Sequence, residues 1–365
     1  LLFFYAFEQP SFLNQPINYI KMNLKQSLLI AVLVSAASLG AWEFYWRSQG
    51  FYPNIDDNKD LWAVQRAKVK SLTDDDVILI GSSRVLFDIQ VDEWGKGTGR
   101  KPLQLASPGS SPLPVFHDLV EKTDFKGTIL VGVTPGLFFS TTFPEAFPWK
   151  RPQTKVDYFH NRTYAQQLNH YISLPLQSSL VMMSGSEEEW SDDTDLKALL
   201  GRIKIGNRTG EPDFPPFYNF NDTRIDRNTS MTERTAKDTA FANSIKRVWG
   251  FFGKSAPPPD KKSTMAFFLK DLEKFKAKGG KVILVRCPSS GMLKKGEDMA
   301  FPRATFWDEL VKQAKVKSYY FEDYKQLQFD CPEWSHLSAP DARKFTVELV
   351  KIMKADGVLS NSKTN

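Results

Sequence analysis

Residues 77–88, VILIGSSRVLFD, constrain the fold more than any other stretch of this chain. Four apolar residues run into Gly81, two serines follow, and Arg84 opens a second apolar run. So short a run, bounded by small residues, reads as a buried parallel strand, because a strand covered on both faces has no polar side to alternate with. Further runs at 102–106 (PLQLA), 127–133 (GTILVGV), 281–287 (KVILVRC) and 318–324 (SYYFEDY) bring the expected strands to five. Helical patterns lie between and after them. Pro112–Lys122 is one; Met265, Phe268, Leu272 and Phe275, stopped by Gly279-Gly280, mark a second. Pro302–Val316 is a third, and Ala342, Phe345, Leu349 and Ile352 mark the last. Strands alternating with helices predict an α/β fold, a doubly wound, flavodoxin-like three-layer parallel sheet of about five strands.

Two segments stand outside that rhythm. From Leu28 to Trp46 the only charged residue is Glu43, near the end, and nineteen helical residues match the ~30 Å hydrocarbon core of a bilayer. Lys21 and Lys25 precede this segment, and Trp42, Phe44, Tyr45 and Trp46 crowd its far end like an interfacial belt. Ala36, Ala37 and Ala41 offer the small residues of a cleaved signal peptide, but the length and the aromatic belt favour an uncleaved anchor over 22–48. Either reading puts the rest of the chain outside the cytoplasm. Residues 1–21, ahead of Met22, stay an unassigned extension. A short helix is expected around Leu61–Val69, and the remaining domain spans 49–365, with a large insertion after the third strand at about 140–261. That insertion holds the acidic stretch SGSEEEWSDDTD (184–195), a helical pattern around Leu196–Ile205 and the proline-rich SAPPPDKK (255–262). Insertions over the C-terminal edge of a sheet often shape specificity.

Composition excludes several classes. The net charge is +6, and basic residues interleave with acids almost everywhere, so there is no basic stripe for nucleic acid. Two cysteines and four histidines, none with ligand-like spacing, argue against a zinc site or other metal centre. No G-x-G-x-x-G follows the first strand, which counts against a nucleotide binder, and no cofactor is expected.

The chemistry-bearing residues fall at strand ends. Ser82 or Ser83 stands where open α/β sheets build their sites, as nucleophile or simply as a helix N-cap. A serine nucleophile needs a base and the base needs an orienting group. His336, in CPEWSHLSAPDARKF, lies between the fifth strand and the last helix, whose start is marked by Ser338, Pro340 and Asp341. Glu333, three residues earlier, is the candidate orienter. His117 sits mid-helix, and His160 and His170 lie in the insertion. Arg84 and Arg286 are candidates for an anionic substrate group or for structural ion pairs. Cys287 and Cys331, at strand ends on one side of the sheet, are either a disulfide, the expected form in an oxidising compartment, or two buried free thiols.

The order of these blocks resembles the SGNH/GDSL hydrolase superfamily. Gly81-Ser82-Ser83-Arg84 matches its first block and puts Ser83 at the nucleophile position. The resemblance implies an oxyanion hole from the Ser83 N–H and the N–H of Gly109, in LASPGSSP. Glu333 and His336 match the D-x-x-H block, with Glu for the usual Asp. Where the family has G-x-N-D, this chain has Gly132-Val133-Thr134-Pro135, leaving the Thr134 hydroxyl in place of an amide donor. The resemblance covers 77–135 and 281–350. With its N-terminal anchor, the GSSR variant is similar to the branch that includes the teichoic-acid D-alanylation protein DltD and the alginate O-acetylation proteins. That branch implies a single-pass protein of the bacterial inner membrane with its domain on the periplasmic side. It implies a serine esterase or O-acyltransferase acting on acyl esters of an envelope polysaccharide, beside a membrane-bound O-acyltransferase. A non-catalytic SGNH-fold scaffold subunit of a polysaccharide-modification complex is the competing expectation.

Overall fold

The computed structural model describes residues 23–140, 146–183, 215, 217–254 and 258–359. The chain divides into two units, one ending at Tyr52 and one beginning at Pro53. The first holds helix α1 (Leu24–Ser48), opened by a capping box between Asn23 and Gln26. Its 25 residues, at 1.5 Å each, extend about 37 Å, and none of their side chains is buried. This helix is long and apolar enough to cross a membrane. At its C-terminal end Trp42, Tyr45, Trp46 and Phe51 pack ring on ring, with centroids 5.2–6.3 Å apart. The expected extension 1–21 lies outside the described residues.

The second unit runs through α2 (Lys59–Ala67), β1 (Val77–Ile80), α3 (Ser83–Asp88), α4 (Val91–Thr98), β2 (Leu103–Gln104), α5 (Leu113–Lys122) and β3 (Thr128–Gly132). Then come α6 (Pro135–Phe138), α7 (Phe147–Asn161), α8 (Tyr164–Gln177), a hairpin of β4 (Asn221–Thr223) and β5 (Thr229–Met231), α9 (Glu233–Lys237) and α10 (Thr239–Lys254). The chain closes with α11 (Lys261–Ala277), β6 (Lys281–Arg286), α12 (Gly291–Ala300), α13 (Arg303–Ala314), β7 (Lys317–Tyr320) and α14 (Ala339–Ala355). Strands β2-β1-β3-β6-β7 form one sheet in that order, every pair parallel. β1 and β3 are buried along their whole length, which is why the sequence shows no alternation there.

The first strand turns abruptly into α3 because two glycines let Val85 sink between them. A Cβ on Gly81 would meet Val85 Cγ2 at 2.6 Å, and one on Gly132 would meet it at 2.0 Å. Gly81 also has a φ of +156°. A side chain at either glycine would push α3 off the sheet and lose the Val85 burial, worth roughly 1.5–3 kcal/mol.

Two expected strands come out shorter. The run at 102–106 pairs as a strand only at Leu103–Gln104, although Leu105 N–H still reaches Leu79 O at 2.8 Å and Ser107 N–H reaches Gly81 O at 3.0 Å. The run at 318–324 leaves the sheet after Tyr320, where Asp323 turns out to meet both Arg303 nitrogens at 2.7 Å. Between β3 and β6 the chain folds back onto the sheet. Arg227 of the hairpin turn is wholly buried, pairs through two nitrogens with Asp57, and donates to Gln104 O (3.1 Å) at the end of β2 and to Ala106 O (2.7 Å) just past it. Asn228 Oδ1 accepts from Val91 N–H at 2.9 Å. The acidic stretch 184–195 and the expected helix around Leu196–Ile205 lie outside the described residues.

Candidate active site

The C-terminal ends of β1, β3 and β6 and the loop after β7 converge, as the parallel sheet requires. At the end of β1 the two serines separate in role. Ser82 is the N-cap of α3: its Oγ accepts from Arg84 N–H at 3.3 Å and shares a 2.7 Å hydrogen bond with Thr134 Oγ1. Ser83 is the first residue of the helix, half-buried, and its N–H lies in the turn that has no intrahelical acceptor.

His336, in the loop after β7, is fully buried. Glu333 Oε1 accepts both the His336 backbone N–H (2.6 Å) and ring Nδ1 (2.8 Å). A carboxylate at Nδ1 holds the proton there and leaves Nε2 as the lone-pair nitrogen. Nε2 is buried and has no hydrogen-bond partner among the described residues, so the Ser83 hydroxyl is not bonded to it in this structure. The ring stacks on Phe87 at a centroid distance of 4.4 Å. Phe87 follows Ser83 by four residues in α3, and residues i and i+4 share a helix face. The loop is fastened to the same helix: Leu337 N–H donates to Asp88 Oδ1 at 2.9 Å, and Thr346 Oγ1 of α14 donates to Asp88 O at 3.1 Å.

The segment between β3 and β6 completes the surroundings of the imidazole. Phe220 lies 5.7 Å and Trp249 5.9 Å from the His336 ring, centroid to centroid. The Trp249 indole N–H donates to Glu333 Oε2, which also accepts from Ser335 N–H at 3.3 Å. Both carboxylate oxygens are thereby occupied by N–H donors. Periodicity does not single out Phe87, Phe220 or Trp249. Phe87 could have been found as the i+4 neighbour of Ser83, but the other two are brought in only by tertiary folding.

The remaining sequence candidates are placed as follows. Gly109 occupies a turn with φ +58°, and the Arg151 guanidinium, donating to Pro108 O at 2.9 Å, lies where a Cβ would stand. The Thr134 hydroxyl is taken up by Ser82. Arg84 and Arg286 both converge on Glu297 of α12: Arg84 Nη2 meets Oε1 at 2.6 Å and Arg286 Nη2 meets Oε2 at 2.5 Å, with Ser289 Oγ at 3.0 Å. Burial works against ionisation of Glu297, yet the two guanidiniums overcome it and pull its carboxyl down to about 2. Asp88 shows the reverse: burial pushes its carboxyl well above the ordinary range, Glu333 adds to that, and Arg84 only partly opposes it.

Cys287 and Cys331 are buried free thiols, a correction to the expected disulfide. The loop is tied to the end of β6 without a covalent bond. Ser290 Oγ donates to Cys331 O (3.0 Å) and accepts from Cys331 N–H (3.2 Å), while Ser290 N–H donates to Trp334 O at 2.9 Å.

Among the described residues, His117, Glu121 and Asp271 bring one ligand-type atom each within 4.8 Å of one another. These groups are already paired, His117 Nδ1 with Asp271 at 2.9 Å and Glu121 with Lys274. No protein-family model matches this chain, and no curated protein sequence does.

Proposed function

We propose that this chain is a membrane-anchored serine esterase or O-acyltransferase of the SGNH type, with Ser83 as nucleophile, His336 as base and Glu333 as orienting carboxylate. The observation that carries the reading is the His336 ring itself. Its Nδ1 is held by Glu333, its Nε2 is buried without a partner among the described residues, and its face lies on Phe87, one helical turn from Ser83. A serine–histidine pair works in that arrangement. Ser83 Oγ attacks an acyl carbonyl and His336 Nε2 takes its proton. The resulting oxyanion is met by the Ser83 N–H and by an N–H of the Gly109 turn. His336 then returns the proton to the leaving alcohol, and water or an acceptor hydroxyl releases the acyl group. Apo active sites often hold such hydrogen bonds long, so rotation of Ser83 towards Nε2 is the step that substrate has to bring about.

In the same reading the sheet order is that of a doubly wound, flavodoxin-like domain, and the segment at about 140–261 is an insertion that supplies Phe220 and Trp249 to the site. The α1 helix anchors the chain in the bacterial inner membrane, with the domain on the extracytoplasmic side. The substrate is an acyl ester of an envelope polysaccharide, handed over by or to a membrane-bound O-acyltransferase. Arg84 and Arg286, both held by Glu297, act here through the packing of α3 and β6.

One observation favours the second reading, a non-catalytic scaffold subunit of a polysaccharide-modification complex: the position of the family's amide donor is held by Thr134, whose hydroxyl shares a hydrogen bond with Ser82. Losing one oxyanion donor costs about 10²–10³ in rate. Hydrolysis of p-nitrophenyl acetate, together with labelling by a fluorophosphonate, separates the two. Catalysis requires that the wild type be labelled and that Ser83→Ala lose both labelling and turnover. Equal, slow hydrolysis by the two proteins leaves the scaffold reading.

A further inference from the structure

Helix α8 is built inside out. Its sequence, YAQQLNHYISLPLQ, carries no acid, Lys or Arg. At 100° per residue, Tyr164, Leu168, Tyr171, Ile172 and Leu176 form one stripe, and these five side chains are between 40% and 90% exposed. The opposite face is turned inward and is polar but for Leu174, which is half-buried. His170 and Gln177 are its buried residues, with Gln166, Gln167 and Ser173 half-buried beside them. Gln166 is used in the capping box with Thr163, and Gln177 Oε1 accepts from Asp56 N–H at 3.3 Å. A helix facing water does the opposite, so the apolar stripe has an occupant.

We propose that the occupant is the membrane itself, and that α8 lies with this stripe in the boundary between lipid headgroups and acyl chains. The inference rests on the reading of α1 as a membrane anchor. Two features favour lipid over a protein partner. The first is reach: Asp56, which holds the C-terminal end of α8, follows the last residue of α1 by eight residues, and eight extended residues span at most about 28 Å. The second is chemistry. Tyrosines at 164 and 171 share an uncharged stripe with Leu168, Ile172 and Leu176, the composition that interfacial membrane segments use. A second anchoring element of this kind would fix the orientation of the domain above the bilayer, and with it the height at which an acyl group is received.

The test uses the full chain in nanodiscs of phosphatidylcholine and phosphatidylglycerol, with a nitroxide placed in turn on L168C, I172C, V34C and K351C. The wild type, whose two cysteines are buried, serves as the labelling blank. Power saturation compares collision with oxygen, which partitions into lipid, against collision with a water-soluble nickel chelate. Labels at 168 and 172 should resemble the one at 34, with chelate accessibility at least threefold below that at 351, in the exposed face of α14. Chelate accessibility at 168 equal to that at 351 overturns the proposal while leaving the anchor intact. A label at 168 shielded from both reagents overturns it in favour of coverage by protein, either a second copy or another segment of this chain. A water-exposed label at 34 removes the anchor, and this proposal with it.

Discussion

The indole N–H of Trp249 donates to Oε2 of Glu333 across 84 residues of sequence, while Oε1 of the same carboxylate holds His336. Helix α10 therefore reaches the candidate dyad through its orienting group and not through the imidazole alone. Trp249→Phe keeps a ring against His336 and removes the donor. A hydrogen bond to a charged group is worth about 1.5–3 kcal/mol, so urea denaturation should show a loss in that range. Turnover of an activated ester, in the proposed reaction, should fall by roughly tenfold, since 1.36 kcal/mol corresponds to a factor of ten. Unchanged turnover in a correctly folded variant would show that the donor does not position the dyad.

Ser82 and Ser83 are neighbours with opposite expectations. Ser82→Ala removes a helix cap and leaves the buried Thr134 hydroxyl without its partner, so it should cost about 1–2 kcal/mol of stability. Ser83→Ala removes a half-buried hydroxyl with no hydrogen bond among the described residues and should change stability by less than about 0.5 kcal/mol. Thermal melts of the two variants, run beside the ester assay, separate a structural serine from a chemical one. If Ser83→Ala proves the more destabilising of the two, the assignment of roles is reversed.

How far the sequence could be read follows from which signals were local. The all-parallel sheet was legible because burial on both faces removes polar residues from a continuous run, and the N-terminal helix because it is long, apolar and almost free of charge. The Glu333–His336 contact was legible because its two members stand three residues apart. Helices α7 and α8 were not, because each carries an internal proline, Pro152 and Pro175, and α8 turns its apolar side outward. The partner of Arg84 and Arg286 was hidden as well. Glu297 lies in α12, a helix with no buried residue, whose Met292 and Met299 are exposed, so its apolar residues do not mark the side that meets the sheet. Phe220 and Trp249 reach His336 only through long-range folding, which no periodicity encodes.

The two cysteines should behave as buried thiols. Burial pushes both thiols well above their ordinary range, and nearby Asp88 adds to the effect. The thiolate is the reactive form, so neither should be alkylated by iodoacetamide in the native state at neutral pH. Unfolding in urea without a reductant should expose both, adding two carbamidomethyl groups by intact-mass measurement. A mass two hydrogens lighter than the reduced chain, with no label, would instead reveal a disulfide.

Glu297 sets a pH dependence whose sign can be worked out. Burial opposes its ionisation, but Arg84 and Arg286 hold its carboxyl at about 2 in the folded chain, against an ordinary value of 4.5. A depressed carboxyl stabilises the fold above its unfolded value, and that contribution is lost as the pH falls through the folded one. The difference is worth about 3 kcal/mol, present at neutral pH and lost progressively between roughly pH 4.5 and pH 2. Glu297→Gln should lose it at every pH, leaving two buried guanidiniums without a counter-charge. Its stability curve should be flatter than that of the wild type across this acid range, and the two curves should approach one another near pH 2. Urea midpoints taken at half-unit pH steps measure the gap. A gap that stays constant from pH 6 to pH 2 would mean that the arginine cluster does not hold Glu297 ionised.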